Sequence, residues 1–291
     1  MVPFELAQLQ VLMERTSGSS QVAIGLIDGP VSMQHPGLAS ENFREIPGAN
    51  AACMSNSTAC KHGTFVAGIM SGKRNSSAPG ICPGCILLIR PIFPEDSTSS
   101  DRVPSATPLE LASAINQCID AGARVINLSL AVARPSIRRE QPLEEALNRA
   151  ASRNVLVVAA AGNQGTLGST AITRHPWVIP VVACDLRGVP LSESNLGSSI
   201  GRRGLCAPGD SVSSWSPEGE PLTLSGTSVA APLVTGTIAL LWSEFPAATA
   251  AQVRLAVSSS GQSRRASVVP PLLNGAVAYN TLLAASARRI A

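Results

Sequence analysis

The sequence predicts an α/β fold in which a mostly parallel central sheet carries helices on both faces. Short runs of almost continuous apolar residues, typical of strands covered on both sides, alternate along the chain with segments of helical periodicity. Charged residues make up only 14% of the 291 residues, which indicates that much of the chain is interior. Right-handed crossovers between successive strands then place the sheet between two layers of helices.

The first half of the chain supplies two strands and two helices. The apolar run 22–28 predicts a strand that ends in an aspartate, and 62–72 is a small, apolar segment with helical spacing. Residues 86–93 predict the next strand. Residues 109–122 carry a helical stripe that a glycine closes.

The second half repeats this alternation. Residues 125–130, 155–161 and 178–184 predict strands, and 143–154 predict an amphipathic helix. Because ligands of such sheets bind at the carboxyl ends of the strands, polar residues just after these runs are candidates for chemistry. Stretches rich in Gly, Ser and Pro are predicted as surface loops: 71–85, 94–108, 164–170 and 186–221.

The segment 229–242 has no charged residue and no polar face, so a helix here would be buried on all sides. Pro232 is tolerated only near the first turn of a helix, which places the helix start between Thr227 and Ala230. Ser228 would then lie at the positive end of the helix dipole, a favourable position for a nucleophile. Taken alone, the serine could instead be the N-cap of a core helix.

Three other residues could act with this serine, since a serine nucleophile needs a base, a group that orients the base, and donors for the oxyanion. His62 opens an apolar helical segment and could be the base or only a capping histidine. Asp28 ends a buried strand, where a carboxylate needs a partner. Asn163 follows another strand, where it could also be a simple turn residue.

In order and local context, four segments resemble the signature segments of the subtilisin-like serine proteases. They are LIDGPV around Asp28, HGTFVAGI from His62, AAAGN ending at Asn163, and SGTSVAAP around Ser228. The likeness extends from about residue 22 to about residue 283, where LLNGAVAYNTLL is similar to the closing stretch of the family. The resemblance implies the three-layer subtilisin-like fold and a serine endopeptidase.

By this resemblance, Ser228 attacks the scissile carbonyl, His62 acts as base and then as acid, and Asp28 orients the imidazole. The side-chain amide of Asn163 and the backbone N–H of Ser228 would form the oxyanion hole. Two segments would line the specificity pocket and pair with the substrate backbone: Ser129, Leu130 and Ala131, and Ala160, Ala161 and Gly162.

The resemblance implies a polypeptide substrate, and we expect no cofactor and no metal ion. The net charge is only +3 and aromatic residues are few, which argues against a nucleic-acid partner. The first 20 residues lack the pattern of a secretory signal, and no apolar run is long enough to span a bilayer. We therefore expect no membrane association and a cytoplasmic enzyme, while the oligomeric state stays open.

We expect one domain over residues 1–291, with an N-terminal helical extension at 1–20 and a catalytic core at 21–285. The chain departs from the family where Ala131 replaces the usual glycine. It departs again where Gly-Pro follows Asp28, which removes a neighbouring hydroxyl. Neither the calcium-binding loops of the secreted members nor an inhibitory prodomain before Asp28 is recognisable.

Two further motifs resemble the proteases that mature cyanobactins and related ribosomal peptide precursors. They are DGPV followed by His35-Pro36, and CPGC followed by a strand ending in Pro-Ile-Phe. This group includes a macrocyclase whose helical insertion excludes water from the active site. The stretch between Asp28 and His62 is short and lacks a long helical stripe, so hydrolysis is favoured. A transpeptidase and a peptide-binding pseudoprotease are the alternatives.

Seven cysteines leave several interpretations open. Cys118, Cys184 and Cys206 lie in apolar contexts typical of core residues. The other four cluster in sequence, at positions 53, 60, 82 and 85. A zinc site is less favoured than two loop disulfides because the first pair lacks the short spacing of a zinc knuckle, and free thiols are an equal alternative.

Overall fold

The computed structural model describes residues 3–47, 52–54, 57–93, 106–130, 140–259 and 267–287. Nine strands lie in these ranges: β1 Ala23–Asp28, β2 Phe43–Glu45, β3 Ile86–Pro91, β4 Val125–Leu128, β5 Leu156–Ala160, β6 Val178–Cys184, β7 Leu205–Pro208, β8 Val212–Trp215 and β9 Pro221–Leu224. The first seven form a sheet in the order β2-β3-β1-β4-β5-β6-β7, in which every pair is parallel. Strands β8 and β9 form a separate antiparallel hairpin.

Ten α-helices accompany the strands in the described residues, together with a 3₁₀ turn at Ser40–Asn42. Their bounds are α1 Pro3–Leu6, α2 Gln10–Arg15, α3 Thr58–Ser71, α4 Pro108–Asp120, α5 Gln141–Ser152, α6 Ala171–Arg174, α7 Ser198–Arg203, α8 Thr227–Glu244, α9 Ala250–Ser258 and α10 Gly275–Ala287.

The sheet divides the interior into two apolar layers. Helices α3 and α8 pack on one face, where Phe65 and Leu233 join the strand residues Ile24 and Leu26. Helices α4 and α5 pack on the other face against Ile27 and the even-numbered residues of β4. Alternate residues of each strand therefore point into different cores, as expected of a parallel sheet buried on both sides. The predicted three-layer α/β fold is confirmed.

Helix α8 is the central helix of the molecule and begins at Thr227, within the predicted interval. Pro232 lies in its second turn, and every residue from Val229 to Trp242 is buried. Helix α3 begins at Thr58, four residues before the predicted start. The reason is Ser57, whose hydroxyl caps the helix by accepting a hydrogen bond from Cys60 N at 3.0 Å.

The prediction of a surface loop over 186–221 is wrong in part. This stretch contains α7, β7 and most of the β8–β9 hairpin. All four residues of β7 are buried beside β6, and the hydroxyl of Ser214 in β8 donates to Phe65 O of α3 at 2.7 Å. The glycines and prolines obscured these strands, which are only four residues long and depend on tertiary packing.

The N-terminal segment packs onto the main core. Leu9 and Leu12 are fully buried there, and Arg74 donates to the carbonyls of Met13 and Thr16 at 2.8 and 3.0 Å. Helices α1 and α2 thus contribute to the same apolar core as α8. No helix within the described ranges is long and apolar enough to cross a membrane.

The state of the clustered cysteines differs from both of the favoured predictions, because one predicted disulfide forms and the other does not. Cys53 and Cys60 form a disulfide at the start of α3, which excludes a four-cysteine zinc site. Cys82 and Cys85 are buried free thiols, as are the three core cysteines, Cys118, Cys184 and Cys206. Among the residues that the structure describes, no group of three or more potential metal-ligating side chains is found.

Candidate active site

Three predicted residues meet at the carboxyl edge of the sheet. The imidazole of His62 lies between Asp28 and Ser228: its Nδ1 is 2.7 Å from Asp28 Oδ1, and its Nε2 is 3.0 Å from Ser228 Oγ. These distances permit a continuous hydrogen-bond chain from carboxylate to hydroxyl. The acid, the imidazole and the alcohol are therefore arranged as nucleophilic catalysis by serine requires.

Each of the three side chains is held by a different element. Asp28 is the last residue of β1, His62 lies in the second turn of α3, and Ser228 lies in the first turn of α8. Helices α3 and α8 pack on the same face of the sheet, which brings their side chains together over the end of β1. The arrangement is built on helices and a strand, so its geometry depends on core packing.

Two glycines allow α3 to approach β1 closely. A Cβ at Gly63 would collide with the carbonyl oxygens of Gly29 and Pro30, and a Cβ at Gly29 would collide with the Ala59 carbonyl. The backbone of the loop after Asp28 therefore touches the backbone of α3. This contact sets the distance at which His62 faces the carboxylate.

The electrostatics of the Asp28–His62 pair favour a charged imidazole. Burial lowers the pKa of His62, but the negative charge of Asp28 and its hydrogen bond outweigh this effect, and the pKa is raised above the ordinary 6.5. Asp28 is fully buried, and its Oδ1 also accepts from Gly29 N at 2.6 Å. Its Oδ2 has no hydrogen-bond donor among the described residues. The side chain of His62 keeps 27% of its surface exposed, so solvent and a substrate can reach it.

Asn163 lies beside the start of α8. Its Oδ1 accepts from both the backbone N and the hydroxyl of Thr227, each at 2.9 Å. The side-chain oxygen therefore already accepts two hydrogen bonds, and the remaining polar group of the amide is the Nδ2 donor. Gly226, with φ of 135°, leaves room for this amide, since a Cβ there would lie 2.8 Å from Nδ2. Nδ2 and Ser228 N, an orphan donor of the first helical turn, are the two candidate oxyanion donors.

The predicted pocket residue Ser129 is more enclosed than expected. It is only 3% exposed, and its hydroxyl donates to the Ser228 carbonyl at 2.9 Å. Asn127 in β4 donates to the same hydroxyl at 2.7 Å and accepts from Thr235 of α8 at 2.8 Å. This buried network links the first and third turns of α8 to the end of β4.

The remaining predicted substrate-binding residues follow adjacent strands. Leu130 is half-buried after β4, and Ala160 ends β5, whose neighbour in the sheet is β4. Ala161 and Gly162 are buried just beyond it; Ala161 N donates to Val181 O at 2.9 Å, which extends the β5–β6 pairing by one residue. Ala131 lies outside the described residues.

Sequence reasoning missed two residues that organise the oxyanion side of the site. Thr227 joins α8 to the loop after β5, because its hydroxyl also accepts from Gly162 N at 3.1 Å. Asn195 is 4% exposed; its Oδ1 accepts from Gln164 N and Thr166 N, and its Nδ2 donates to the Ala161 carbonyl. Thr227 could have been noticed as the hydroxyl next to Ser228. Asn195 stands in a predicted loop and gave no signal.

Comparison with known proteins identifies the same family that the sequence motifs resemble. The model of the Peptidase S8 subtilase family matches residues 19–271. Subtilisin NAT from Bacillus subtilis subsp. natto is 31% identical over 261 residues, which cover 87% of this chain and 64% of that protein. The chain thus spans a little under two thirds of the length of this relative.

Two solved structures are similar over nearly the whole chain. One is a mutant of the protease domain of PatA, the patellamide maturation protease. It has 34% identity and a TM-score of 0.85, and the match covers 92% of this chain and 97% of that one. The prenylagaramide maturation protease PagA has 30% identity and a TM-score of 0.83, with 94% and 98% covered. Both are maturation proteases by name, which agrees with the precursor-processing subgroup that the sequence motifs predicted.

Proposed function

The chain belongs to the subtilase family, and from that premise we propose that it is a serine endopeptidase that hydrolyses peptide bonds through an acyl-enzyme. The observation that carries the proposal is the position of His62, within hydrogen-bonding distance of both Asp28 and Ser228. In this proposal Asp28, His62 and Ser228 are the catalytic triad and Asn163 completes the oxyanion hole.

The proposed reaction begins with attack of Ser228 Oγ on the scissile carbonyl while His62 Nε2 takes the hydroxyl proton. Asp28 holds Nδ1–H and thereby fixes the tautomer in which Nε2 is a base. The oxyanion that forms receives hydrogen bonds from Asn163 Nδ2 and Ser228 N. His62 then gives the proton to the leaving amine, and a water molecule, activated by the same imidazole, releases the acyl group.

The proposed substrate is a polypeptide, and more narrowly a ribosomally made peptide precursor. This narrower assignment is supported by the likeness to PatA and PagA, which are maturation proteases of patellamide and prenylagaramide. In the proposal, the residues after β4 and β5, namely Ser129 to Ala131 and Ala160 to Gly162, bind the extended substrate backbone.

Hydrolysis is favoured over transpeptidation. Between Asp28 and His62, the described residues contain the 3₁₀ turn, β2 and the start of α3, with no additional α-helix that would cover the site. The exposed fraction of the His62 side chain gives water a route to the acyl-enzyme. A macrocyclase needs the opposite arrangement, in which water is excluded.

The test is digestion of a proteome-derived peptide library, read by mass spectrometry, with the wild-type chain and with Ser228→Ala. The wild type should give new peptide ends, whereas loss of the nucleophile should reduce turnover roughly a millionfold. Added amine nucleophiles should not yield joined products. Cleavage by Ser228→Ala at a near wild-type rate would refute the proposal, and joined or cyclic products would favour the transpeptidase.

A further inference from the structure

A cavity lies at the edge of the sheet opposite the active site. It has a volume of about 270 Å³ and opens where Arg124 precedes β4 and Val155 precedes β5, at the amino ends of these strands. The side chains of the proposed triad are grouped at the carboxyl ends. The cavity is therefore separate from the proposed catalytic centre.

The charge of the cavity is positive. Arg124 and Arg153 both line it, and none of its lining residues is acidic. The pKa of the nearby Asp120 is lowered mainly by its hydrogen bond to Arg149, its ion-pair partner at 2.6 Å, and less by the charge of Arg153. The two arginines are thus left with net positive charge facing the cavity.

Arg124 is held in a conformation suited to binding a carboxylate. Its guanidinium carbon lies 4.4 Å from the centroid of the Trp242 ring, which is itself buried and fixed by a 2.9 Å hydrogen bond from Nε1 to Ala248 O. This cation–π contact places the guanidinium over the indole and supplies no oxygen acceptor to its N–H groups. Within the described part of the chain, no acceptor is bonded to those groups, and burial lowers the pKa of Arg124 without a compensating anion.

The rest of the lining is small and apolar, and includes Ala123, Val155 and Ala248. A fully hydrated inorganic anion has no group to place against these methyl groups, whereas a carboxylate attached to an aliphatic chain does. The volume is slightly under the range of about 300–1,000 Å³ usual for whole small ligands. The cavity therefore suits the end or one side chain of a larger molecule.

We propose that this cavity is a peripheral binding site for a peptide carboxylate, in which Arg124 and Arg153 bind the oxygens and the neighbouring methyl groups contact an aliphatic part of the same peptide. A carboxylate bonded by two arginines receives charge-assisted hydrogen bonds, the stronger class in proteins. The site does not depend on the peptidase activity and is tested by binding alone.

The experiment is an NMR titration that follows the arginine Nε–Hε signals, assigned with single Arg→Gln variants. The probes are acetyl-Leu-Ala with a free carboxylate, the same peptide as its amide, acetyl-Glu-Ala-amide, and inorganic phosphate. We expect saturable binding of the free acid that moves the Arg124 signal, and binding of acetyl-Leu-Ala-amide at least about tenfold weaker. Tight binding of acetyl-Glu-Ala-amide would show that the site binds acidic side chains. No binding of this peptide would show that the site binds the carboxylate at the end of a chain.

Arg124→Gln and Arg153→Gln should each weaken binding of the free acid at least about tenfold. Arg187→Gln is the matched control, since Arg187 is 83% exposed and pairs with Asp185 in a loop at the other edge of the sheet; it should leave binding unchanged. Arg153 is exposed, so its substitution tests the site even if Arg124→Gln disturbs folding. Equal binding of acid and amide, equal binding of phosphate, equal weakening by Arg187→Gln, or no saturable binding would overturn the proposal.

Discussion

At the residue scale, the ionisation of His62 governs the proposed activity. The base must be neutral to accept the Ser228 proton, so activity is lost as the pH falls through the pKa of His62. Burial lowers that pKa, yet the charge and hydrogen bond of Asp28 raise it above 6.5 overall. The acid limb of the kcat/KM profile should therefore have its midpoint above pH 6.5.

Asp28→Asn separates the two contributions of the carboxylate. Without its charge, the acid limb should move to lower pH, and kcat should fall by about 10⁴ because the wrong imidazole tautomer is favoured. Both effects are read from pH–rate profiles of the two proteins. An acid limb at the same pH in the variant would show that Asp28 does not control the titration of His62.

Asn163→Ala tests the oxyanion donor. It should lower kcat about 100- to 1,000-fold, with little change in KM, because the bond is made in the transition state. Thr227→Ala keeps the Asn163 amide but removes a hydroxyl that positions it, so the loss of kcat should be smaller. A larger effect of Thr227→Ala than of Asn163→Ala would contradict the assigned roles.

At the element scale, the contact between α3 and the loop after β1 decides whether the site forms. Gly63→Ala would press a methyl group against the Gly29 and Pro30 carbonyls and push α3 away from β1. We expect a loss of about 1–3 kcal/mol in the free energy of unfolding, and a loss of kcat in molecules that remain folded. Urea unfolding and single-turnover kinetics measure the two effects separately.

Gly236→Ala is the control for this prediction. Gly236 is also a helical glycine, in α8, and a Cβ there would press on the side chain of Ile81, far from the triad. It should lower stability while kcat of the folded enzyme stays near the wild-type value. If both variants lost kcat equally, the approach of α3 to β1 would have no special role.

Sequence patterns located elements whose signal is local. The predicted strand at 178–184 coincides with β6, since seven consecutive buried residues give a continuous apolar run. Pro232 fixed the start of α8. Strand β7 was missed because a glycine stands on each side of it and its last residue is a proline, and only its pairing with β6 makes it a strand.

The candidate site shows the same difference between local signals, which the sequence reveals, and contacts between distant residues, which it does not. Motifs located Asp28, His62, Asn163 and Ser228, whereas the residues that position them were missed. Asn127 acts through Ser129 and Thr235, which is 108 residues away, and such partnerships cannot be recognised from one segment. The signal available was a single polar residue within an apolar strand, which must be paired when buried.

At the scale of the whole molecule, the Cys53–Cys60 disulfide closes a short loop, with a sequence separation of 7, ahead of the helix that carries His62. Loop closure of this length should contribute about 2–3 kcal/mol to the free energy of unfolding. Urea unfolding of the wild type should therefore be sensitive to reductant, whereas Cys53→Ser should be equally unstable with and without it. A wild type unaffected by full reduction would contradict the prediction.

The account depends on one chemical statement, that His62 activates Ser228. The most direct measurement is reaction with a fluorophosphonate probe, followed by mass spectrometry of the labelled peptide. We predict a single adduct on Ser228 in the wild type, and slow or absent labelling in His62→Ala. Labelling at another serine, or labelling of Ser228 at the same rate in His62→Ala, would contradict the account.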